Sequence, residues 1–383
     1  MPWMETCSMT ERMRFVVRAE RGVYSMSELC ERHGVSRKTG YKWLRRFGEE
    51  GPEGLKDRSR RPFRSPKKTP EEIEALLIEV REKHPNWGPE KLLDIVERRH
   101  PELELPARST VAAILKREGL IKSRRKRRRH RHPGPPTREV TAANELWTAD
   151  FKGQFKTLDG RWCYPLTVAD EHTRYLLACD GMTSTKGRSV RAAFDRLFRR
   201  HGLPQGIRTD NGTPFVVSHA IHGLSSLSVW WIQLGIRPER IEPGKPQQNG
   251  RHERMHRTLK DETVCPPANS LRAQQERFDA FREEFNTERP HQALEQRRPA
   301  EVWKPSSKPY PDWIPSPEYP GHFQLRKVST TGHIKFKNHA LWLSETLKHQ
   351  VVGLEEINDG IWSIYFYDVL LARLDERDYE VIA

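Results

Sequence analysis

The first part of the chain carries apolar residues at helical spacing, interrupted by short turn signals. From Thr10 to Phe47 this pattern predicts a first helix, then a second helix, a turn at residues 33–35 and a third helix capped by Ser36. A helix-turn-helix unit has this order, and so does an ordinary three-helix bundle. The third helix is basic, which favours DNA binding, and its donors for the major groove would be Arg37, Lys38, Tyr41 and Lys42.

A second helical region follows a segment rich in Pro and Arg. Residues 51–68 lack an apolar period and are predicted to form a linker or an extended arm, in which Arg58, Arg60 and Arg61 could enter a minor groove. Residues 69–121 return to helical spacing, and we expect three helices, the last of them capped by Ser109. Two trihelical units in tandem would contact a longer DNA site than one unit.

Beyond Asn144 the apolar residues alternate as they do in strands. Three strand-like runs are joined by a hairpin signal at residues 158–161 and by a turn near residues 171–173. A helix, a short strand, a second helix, another short strand and a last helix follow. This order predicts a mixed sheet of about five strands with helices packed against it.

The C-terminal region from about His322 also alternates, in short runs broken by the turn signals TTG, KN and NDG. We expect a small antiparallel β-barrel of about five strands. Such a domain could bind DNA or serve as a protein interaction module.

The charge of the chain indicates its class of partner. The 67 Lys and Arg outnumber the 52 Asp and Glu, for a net charge of +15, which favours nucleic acid. An anionic membrane surface would call for a basic amphipathic helix with bulky apolar residues opposite, and the sequence contains no such helix. Without an apolar run of 18 residues or a signal peptide, the chain is expected to be soluble and intracellular. The five scattered cysteines predict free thiols.

A strongly basic run lies between the helical region and the strands. Lys122 to His132 holds eight Lys or Arg in eleven residues. Such a block repels itself and needs phosphates to become ordered, although in a eukaryote it could equally be a nuclear address. Its candidate DNA contacts are Arg124, Arg125, Lys126, Arg127, Arg128, Arg129 and Arg131.

The segment HERMH at residues 252–256 matches the zinc-protease pattern H-E-x-x-H. On a helix, His252 and His256 would share a face and could bind zinc beside Glu253. Charged residues surround this helix, and only Met255 and Leu259 form an apolar strip, so we expect it to bury little. The zinc interpretation is therefore disfavoured.

Three carboxylates lie at the ends of predicted secondary-structure elements, two of them strands and one a helix. Asp150 lies at the end of the first strand, Asp210 ends the next short strand before an Asn-Gly turn, and Glu253 begins the last helix. If these side chains converge, they repel one another unless cations neutralise them, and hard oxygen ligands select Mg²⁺ or Mn²⁺. A pair of such ions can promote phosphoryl transfer. Asp170, at a turn between two strands, is assigned a structural role.

The contexts of these carboxylates carry a resemblance. The patterns W-x-x-D ending at Asp150, T-D-N-G around Asp210 and P-x-x-N-G-x-x-E ending at Glu253 resemble the Asp-Asp-Glu core of retroviral-type integrases. The chain is most similar to bacterial insertion-sequence transposases with that core, and residues 286–303 resemble the segment that follows it there. The 42 residues between Asp210 and Glu253 make a longer interval than is common in that superfamily.

The resemblance implies a multidomain α plus α/β protein. Its expected parts are a helix-turn-helix domain at 1–50, a basic linker at 51–68, a second helix-turn-helix domain at 69–121, a basic linker at 122–139, a ribonuclease H-like core with trailing helices at 140–305 and a small β-barrel at 320–383. Asp150, Asp210 and Glu253 would be the catalytic residues and the ligands of two Mg²⁺ or Mn²⁺ ions. Phosphates near the site would be held by Lys245, Gln248, Arg251, Arg257 and Lys260.

The activity that the resemblance implies is DNA transposition. The enzyme would cleave the 3′ ends of a mobile element and join them to target DNA, acting on double-stranded DNA as a dimer or tetramer in the bacterial cytoplasm, at the nucleoid. Two other functions stay open. One is a helix-turn-helix regulator that has lost catalysis, and the other is a metal-dependent nuclease that does not join ends.

The basic run yields a first prediction. Replacing Arg127, Arg128, Arg129 and Arg131 with Gln should weaken binding to specific and random duplexes alike, because phosphate contacts do not depend on base sequence. Each lost contact lowers the slope of log affinity against log salt by about 0.9, so the four changes should flatten it by up to about three units. Titrations of both duplexes at several salt concentrations measure this. A loss confined to the specific duplex, with an unchanged slope, would contradict it.

Overall fold

The computed structural model describes residues 7–59, 68–121, 139–218, 220–242 and 246–382. Tertiary contacts divide the chain into two units, Met1–Pro70 and Glu71–Ala383. Within these described ranges, the first unit is built on three α-helices. The second contains a further trihelical region, a sheet covered by helices on both faces, and a C-terminal sheet.

The helix-turn-helix order predicted for the first unit is confirmed. Its helices are α1 (Ser8–Glu20), α2 (Met26–Arg32) and α3 (Arg37–Glu50). The hydroxyl of Ser36 accepts a hydrogen bond from the backbone N–H of Thr39 and caps α3, as predicted. A Cβ at Gly40 would come within 2.8 Å of Cys30 Sγ, so the missing side chain lets α3 pack closely against α2.

The second helical region has its own apolar core. Its helices are α4 (Glu71–Lys83), α5 (Pro89–Arg99) and α6 (Arg108–Arg117). Leu77, Trp87 and Leu92 are buried between them. The cap predicted at Ser109 is wrong. The N-cap is Ala107, two residues earlier, and among the described residues no side chain makes a capping hydrogen bond at this end of α6.

A mixed sheet follows, as predicted. Its strands are β1 (Trp147–Phe151), β2 (Phe155–Lys156), β3 (Trp162–Asp170), β4 (Leu176–Met182), β5 (Gly206–Thr209) and β6 (Arg237–Arg240). β3 pairs antiparallel with β4 and with β1, while β1, β5 and β6 are parallel neighbours. The two-residue β2 pairs with the start of β3 and forms the predicted hairpin.

Helices cover both faces of this sheet. They are α7 (Gly187–His201), α8 (Ser226–Gln233), α9 (Gly250–Leu259), α10 (Leu271–Thr287) and α11 (Pro299–Val302). α7 and α8 enclose a core with Trp147 and Phe194, and α9 and α10 enclose another with Leu176 and Phe278. A π-helical turn, Lys260–Val264, continues α9. Within the part of the chain that the structure describes, no helix has the length and apolar character needed to span a membrane.

The C-terminal region is antiparallel, but the predicted closed barrel is not confirmed. The strands are β7 (Gln324–Lys327), β8 (His333–Phe336), β9 (His339–Trp342), β10 (Val351–Asn358), β11 (Ile361–Phe366), β12 (Val369–Asp375) and β13 (Glu380–Ile382). β7 and β13 are the outer strands of an open five-stranded sheet, and β8 pairs with β9 as a separate hairpin. Ile334 and Phe336 of the hairpin cover the apolar face of the sheet together with Ile232 of α8, so the face is buried without closure.

The second helical region packs against the tail of the sheet domain through ion pairs. Arg298 Nη1 lies 2.7 Å from Asp94 Oδ2, and both side chains are largely buried. Arg98 Nη1 lies 2.7 Å from Glu301 Oε1 in a more exposed position. These contacts join α5 to residues around α11, so the second helical region is part of the same compact unit as the sheet.

The buried pair yields a second prediction. Arg298→Ala leaves the Asp94 carboxylate buried without its nearest cation and should lower the free energy of unfolding by about 3 kcal/mol or more. Arg377→Ala is the control, because it removes an exposed ion pair of similar length, 2.6 Å from Nη2 to Asp375 Oδ2, and should cost less than about 1 kcal/mol. Urea denaturation of the full chain measures both changes. If both variants lose the same free energy of unfolding, burial does not determine how much the Asp94–Arg298 ion pair contributes to stability.

Candidate catalytic site at the ends of the strands

Asp150 and Asp210 are level with each other at one edge of the sheet. β1 and β5 are parallel neighbours, and Ala149 pairs with Thr209 in their register. The next residue along each strand path is an aspartate. The pairing therefore brings two acidic side chains to adjacent positions, as the sequence predicted for strand ends.

The Asn-Gly turn after Asp210 holds that carboxylate close to the backbone. The N–H of Gly212 donates to Asp210 Oδ1 at 3.1 Å. The side chain of Asn211 donates to the carbonyl oxygen of Ile241 at 3.0 Å, which ties the turn to the chain that leaves β6. The residues after the strand thus fix where Asp210 stands.

Glu253 lies in the first turn of α9 and is exposed. The prediction that this helix buries little is wrong. His252, Met255, His256 and Leu259 are all buried, at positions i, i+3, i+4 and i+7 of one helical face. Met255 and Leu259 supply half of this buried face, and the two histidines supply the other half. Glu253 lies outside it.

Electrostatics show that the three carboxylates are neighbours. The pKa of Asp150 is raised to about 7, first by burial and then by the negative charges of Asp210 and, more weakly, Glu253. The N–H of Phe151 and the ammonium group of Lys152 act in the opposite direction. Even so, among the described residues no three His, Cys, Asp or Glu side chains are arranged to hold one metal ion. The acids are close enough to repel one another, but they do not meet at one point.

The two histidines of HERMH bind threonines. Nε2 of His252 and Nε2 of His256 each lie 2.6 Å from Oγ1 of Thr167, and Nδ1 of His252 lies 2.9 Å from Oγ1 of Thr148. Burial lowers the pKa of His252 to about 3 and that of His256 to about 2, so both rings are neutral. The two nitrogens that would share a zinc ion in a protease converge on a hydroxyl group instead.

Asp170 has the structural role predicted for it. Its carboxylate is buried and accepts hydrogen bonds from the N–H of Asn144 and from the N–H and hydroxyl of Thr173, each at 2.7 Å. These bonds hold the turn between β3 and β4 against the entry to β1.

The candidate DNA contacts fall into three groups. Members of the first group have exposed side chains on α3, on α9 or at the start of the π-helical turn, where they are open to a ligand. They are Arg37, Lys38, Tyr41, Lys42, Arg257 and Lys260.

Members of the second group are engaged within the protein. Arg58 pairs with Glu50. Gln248 Nε2 donates to Glu242 Oε1 at 2.8 Å, and Arg251 Nη1 donates to Glu171 Oε1 at 2.9 Å. DNA would have to compete with these partners.

Members of the third group lie outside the described residues. They are Arg60, Arg61, Arg124, Arg125, Lys126, Arg127, Arg128, Arg129, Arg131 and Lys245. Their roles stay predictions from the sequence.

Thr148 and Thr167 were not singled out from the sequence, although one signal was available. Thr148 precedes Asp150 by two residues on β1, so the two side chains share a face of the sheet. Thr167 pairs with Asp150 across β1 and β3. Its position depends on the register of two strands, which the sequence alone does not give.

Family models match most of the folded regions. Two models described as an integrase core domain match residues 140–246 and 234–299. A helix-turn-helix domain model matches residues 11–63, and a homeodomain-like domain model matches residues 39–115. Domains of the helix-turn-helix type bind DNA, and integrase core domains belong to the polynucleotidyl transferase class.

Two insertion-element proteins resemble the chain along much of their length. An uncharacterized 31.7 kDa protein of insertion element IS407 from Burkholderia multivorans is 28% identical over 239 residues, covering 60% of this chain and 80% of that protein. An uncharacterized 39.2 kDa protein of insertion element IS476 from Xanthomonas euvesicatoria is 28% identical over 250 residues, covering 63% and 68%.

One similar solved structure is the HTLV-2 integrase catalytic core domain in complex with magnesium, in its trimeric form. It is 13% identical to this chain, with a TM-score of 0.34. The match covers 43% of this chain and 99% of that one. The chain carries helix-turn-helix domains ahead of an integrase core domain, and it is similar to proteins of insertion elements.

Proposed function

We propose that this protein is a transposase that binds the ends of a mobile DNA element, cleaves them and joins the 3′ ends to target DNA by metal-dependent phosphoryl transfer. The observation that carries the proposal is the group of mutually repelling carboxylates, Asp150, Asp210 and Glu253, at one edge of an integrase core. Helix-turn-helix domains on the same chain supply the means to bind the element.

The donor set fits a divalent cation in its chemistry. All three groups offer hard oxygen ligands, and the pKa of Asp150 is raised first by burial and then by the negative charges of Asp210 and Glu253. Asp150, Asp210 and Glu253 would hold Mg²⁺ or Mn²⁺, two ions per site. When bound, such ions activate an attacking oxygen and stabilise a leaving one. Glu253 is exposed, so its side chain has room to reorient toward the two aspartates.

The other residues of the site position DNA. Arg257 and Lys260 are exposed on and just after the helix that carries Glu253, and they would hold phosphates next to the carboxylates. The donors on α3 would contact bases in the major groove. Because two element ends must reach one target, we propose a homodimer or homotetramer on paired ends. A DNA substrate of this kind would place the protein at the nucleoid, in the bacterial cytoplasm.

A third prediction tests catalysis directly. Asp150→Asn, Asp210→Asn and Glu253→Gln should each abolish cleavage and joining while binding to the element's ends persists, because each removes one anionic ligand without altering the DNA-contacting helices. The assay uses full-length protein, Mg²⁺ and duplexes from the DNA that flanks the reading frame.

Asp180→Asn is the matched control for this assay. Asp180 lies on β4 of the same sheet and pairs with Arg196 at 3.0 Å near the surface, so its loss should leave activity largely intact. Cleavage without joining would favour the nuclease, and binding without cleavage in the unaltered protein would favour the regulator. Activity with Zn²⁺ but not Mg²⁺ would restore the zinc interpretation.

A fourth prediction follows from the pKa of Asp150. Because this pKa is about 7 in the folded protein without metal and lower in the unfolded chain, the folded state binds the extra proton between about pH 4 and pH 7. The stability from this group is fully present below about pH 4 and is lost as the pH rises through 7. Asp150→Asn should therefore raise the melting temperature at pH 8 more than at pH 5.

The measurement is thermal unfolding in EDTA at the two pH values, with Asp180→Asn as the control. Mn²⁺ added at pH 8 should stabilise the unaltered protein and not Asp150→Asn, since a ligand stabilises the state that binds it. A melting-temperature difference that is the same at pH 5 and pH 8 would show that Asp150 is not an uncompensated buried acid.

A further inference from the structure

A polar network lies beneath Asp150 and has no part in the chemistry described above. It consists of Thr148, His252, Thr167 and His256, which we call the threonine-histidine network. Successive members are separated by 2.9, 2.6 and 2.6 Å. At its end, His256 Nδ1 stands 3.7 Å from Asp150 Oδ2. The network thus joins α9 to β1, which carries the acid, and to the neighbouring strand β3.

Apolar side chains would suffice if these residues only packed the helix onto the sheet. None of the four is more than 5% exposed. Burying polar groups costs free energy unless they are hydrogen-bonded, and here each ring nitrogen that faces the strands finds a partner. Met255 and Leu259 already supply apolar contact on the same face.

Counting protons gives the network a direction. A neutral histidine has one N–H donor and one acceptor nitrogen, and a threonine hydroxyl donates once. If Nδ1–H of His256 points to Asp150, then Nε2 of His256 must accept from Thr167. Nε2–H of His252 must in turn donate to Thr167, and Nδ1 of His252 must accept from Thr148. Each N–H or O–H donor in the network then faces one acceptor.

The other tautomer of His256 is unfavourable beside an ionised Asp150. It would turn the lone pair of Nδ1 toward the carboxylate oxygen, and two acceptors would face each other at 3.7 Å. Thr167 and Thr148 can alternatively donate to the carbonyl oxygens of Asp150 and Ala169, at 3.1 and 3.2 Å. An ionised Asp150 therefore favours the arrangement in which His256 carries its proton on Nδ1 and presents that N–H to the carboxylate.

We propose that His256 is a positioning residue for Asp150 with its Nδ1–H facing the carboxylate, and that Thr148, His252 and Thr167 support this tautomer by satisfying its Nε2. The proposal rests on the metal-dependent function above, because an oriented carboxylate matters most as a metal ligand. Groups that orient such ligands typically affect metal affinity by about 10- to 100-fold.

Amide substitutions of His256 separate its two nitrogens. An Asn side chain places its amide near the position of Nδ1, whereas a Gln side chain reaches the position of Nε2. We expect His256→Gln and His256→Ala to weaken Mn²⁺ binding by about 10- to 100-fold, and His256→Asn to stay close to the unaltered protein. Mn²⁺ electron paramagnetic resonance on the full chain without DNA measures the affinity.

Met255→Ala is the control for packing. Met255 lies on the same buried face between the two histidines and outside the network, so its loss should lower the melting temperature without changing Mn²⁺ affinity. If His256→Gln does not fold, Thr167→Ser and Thr167→Val carry the test. Serine keeps the hydroxyl and should retain the affinity, and valine should reduce it.

The outcomes distinguish the two proposals. Mn²⁺ binding by His256→Gln or Thr167→Val as tight as in the unaltered protein overturns the positioning role alone, and so does an equal loss in Met255→Ala. Mn²⁺ binding that is absent from the unaltered protein, or unchanged in Asp150→Asn, overturns the metal site and the positioning role with it.

Discussion

The repulsion between negative charges gathered at one edge of the sheet is the constraint on which the site depends. β1 and β5 are parallel and in register, so Asp150 and Asp210 are brought level whether or not a cation is present. The apolar core beneath α7 and α8 holds this register, since Trp147 on β1 and Ile207 on β5 are fully buried in it. The fold thus supplies the free energy that keeps two like charges together.

The polar side of α9 completes this arrangement. A helix that packed through apolar residues alone would present no donor to Asp150. His252 and His256 instead cross the gap between helix and sheet, and the threonines opposite satisfy them. The buried face of α9 fixes the helix on the sheet. It therefore also places Glu253 beside the two aspartates.

Local features of the fold could be predicted, and features set by distant residues could not. The capped helix after Ser36, the hairpin before β3 and the Asn-Gly turn after Asp210 depend on neighbours in sequence. The contact between Asp94 and Arg298, the covering of the C-terminal sheet by a hairpin and the burial of His252 depend on partners far along the chain. Of the site itself, the carboxylates were predictable from their contexts, but the threonine-histidine network was not.

The segment HERMH shows why a short motif does not determine chemistry. Its spacing places two imidazoles on one face of a helix, and that much follows from helical geometry alone. What they bind is decided by the surface opposite. In this protein the opposing strands offer hydroxyl groups at Thr148 and Thr167, while the exposed glutamate between the histidines adds its charge to that of the aspartates at the strand ends. The same five letters thus serve an acidic site on one side of the helix and a hydrogen-bonded support on the other.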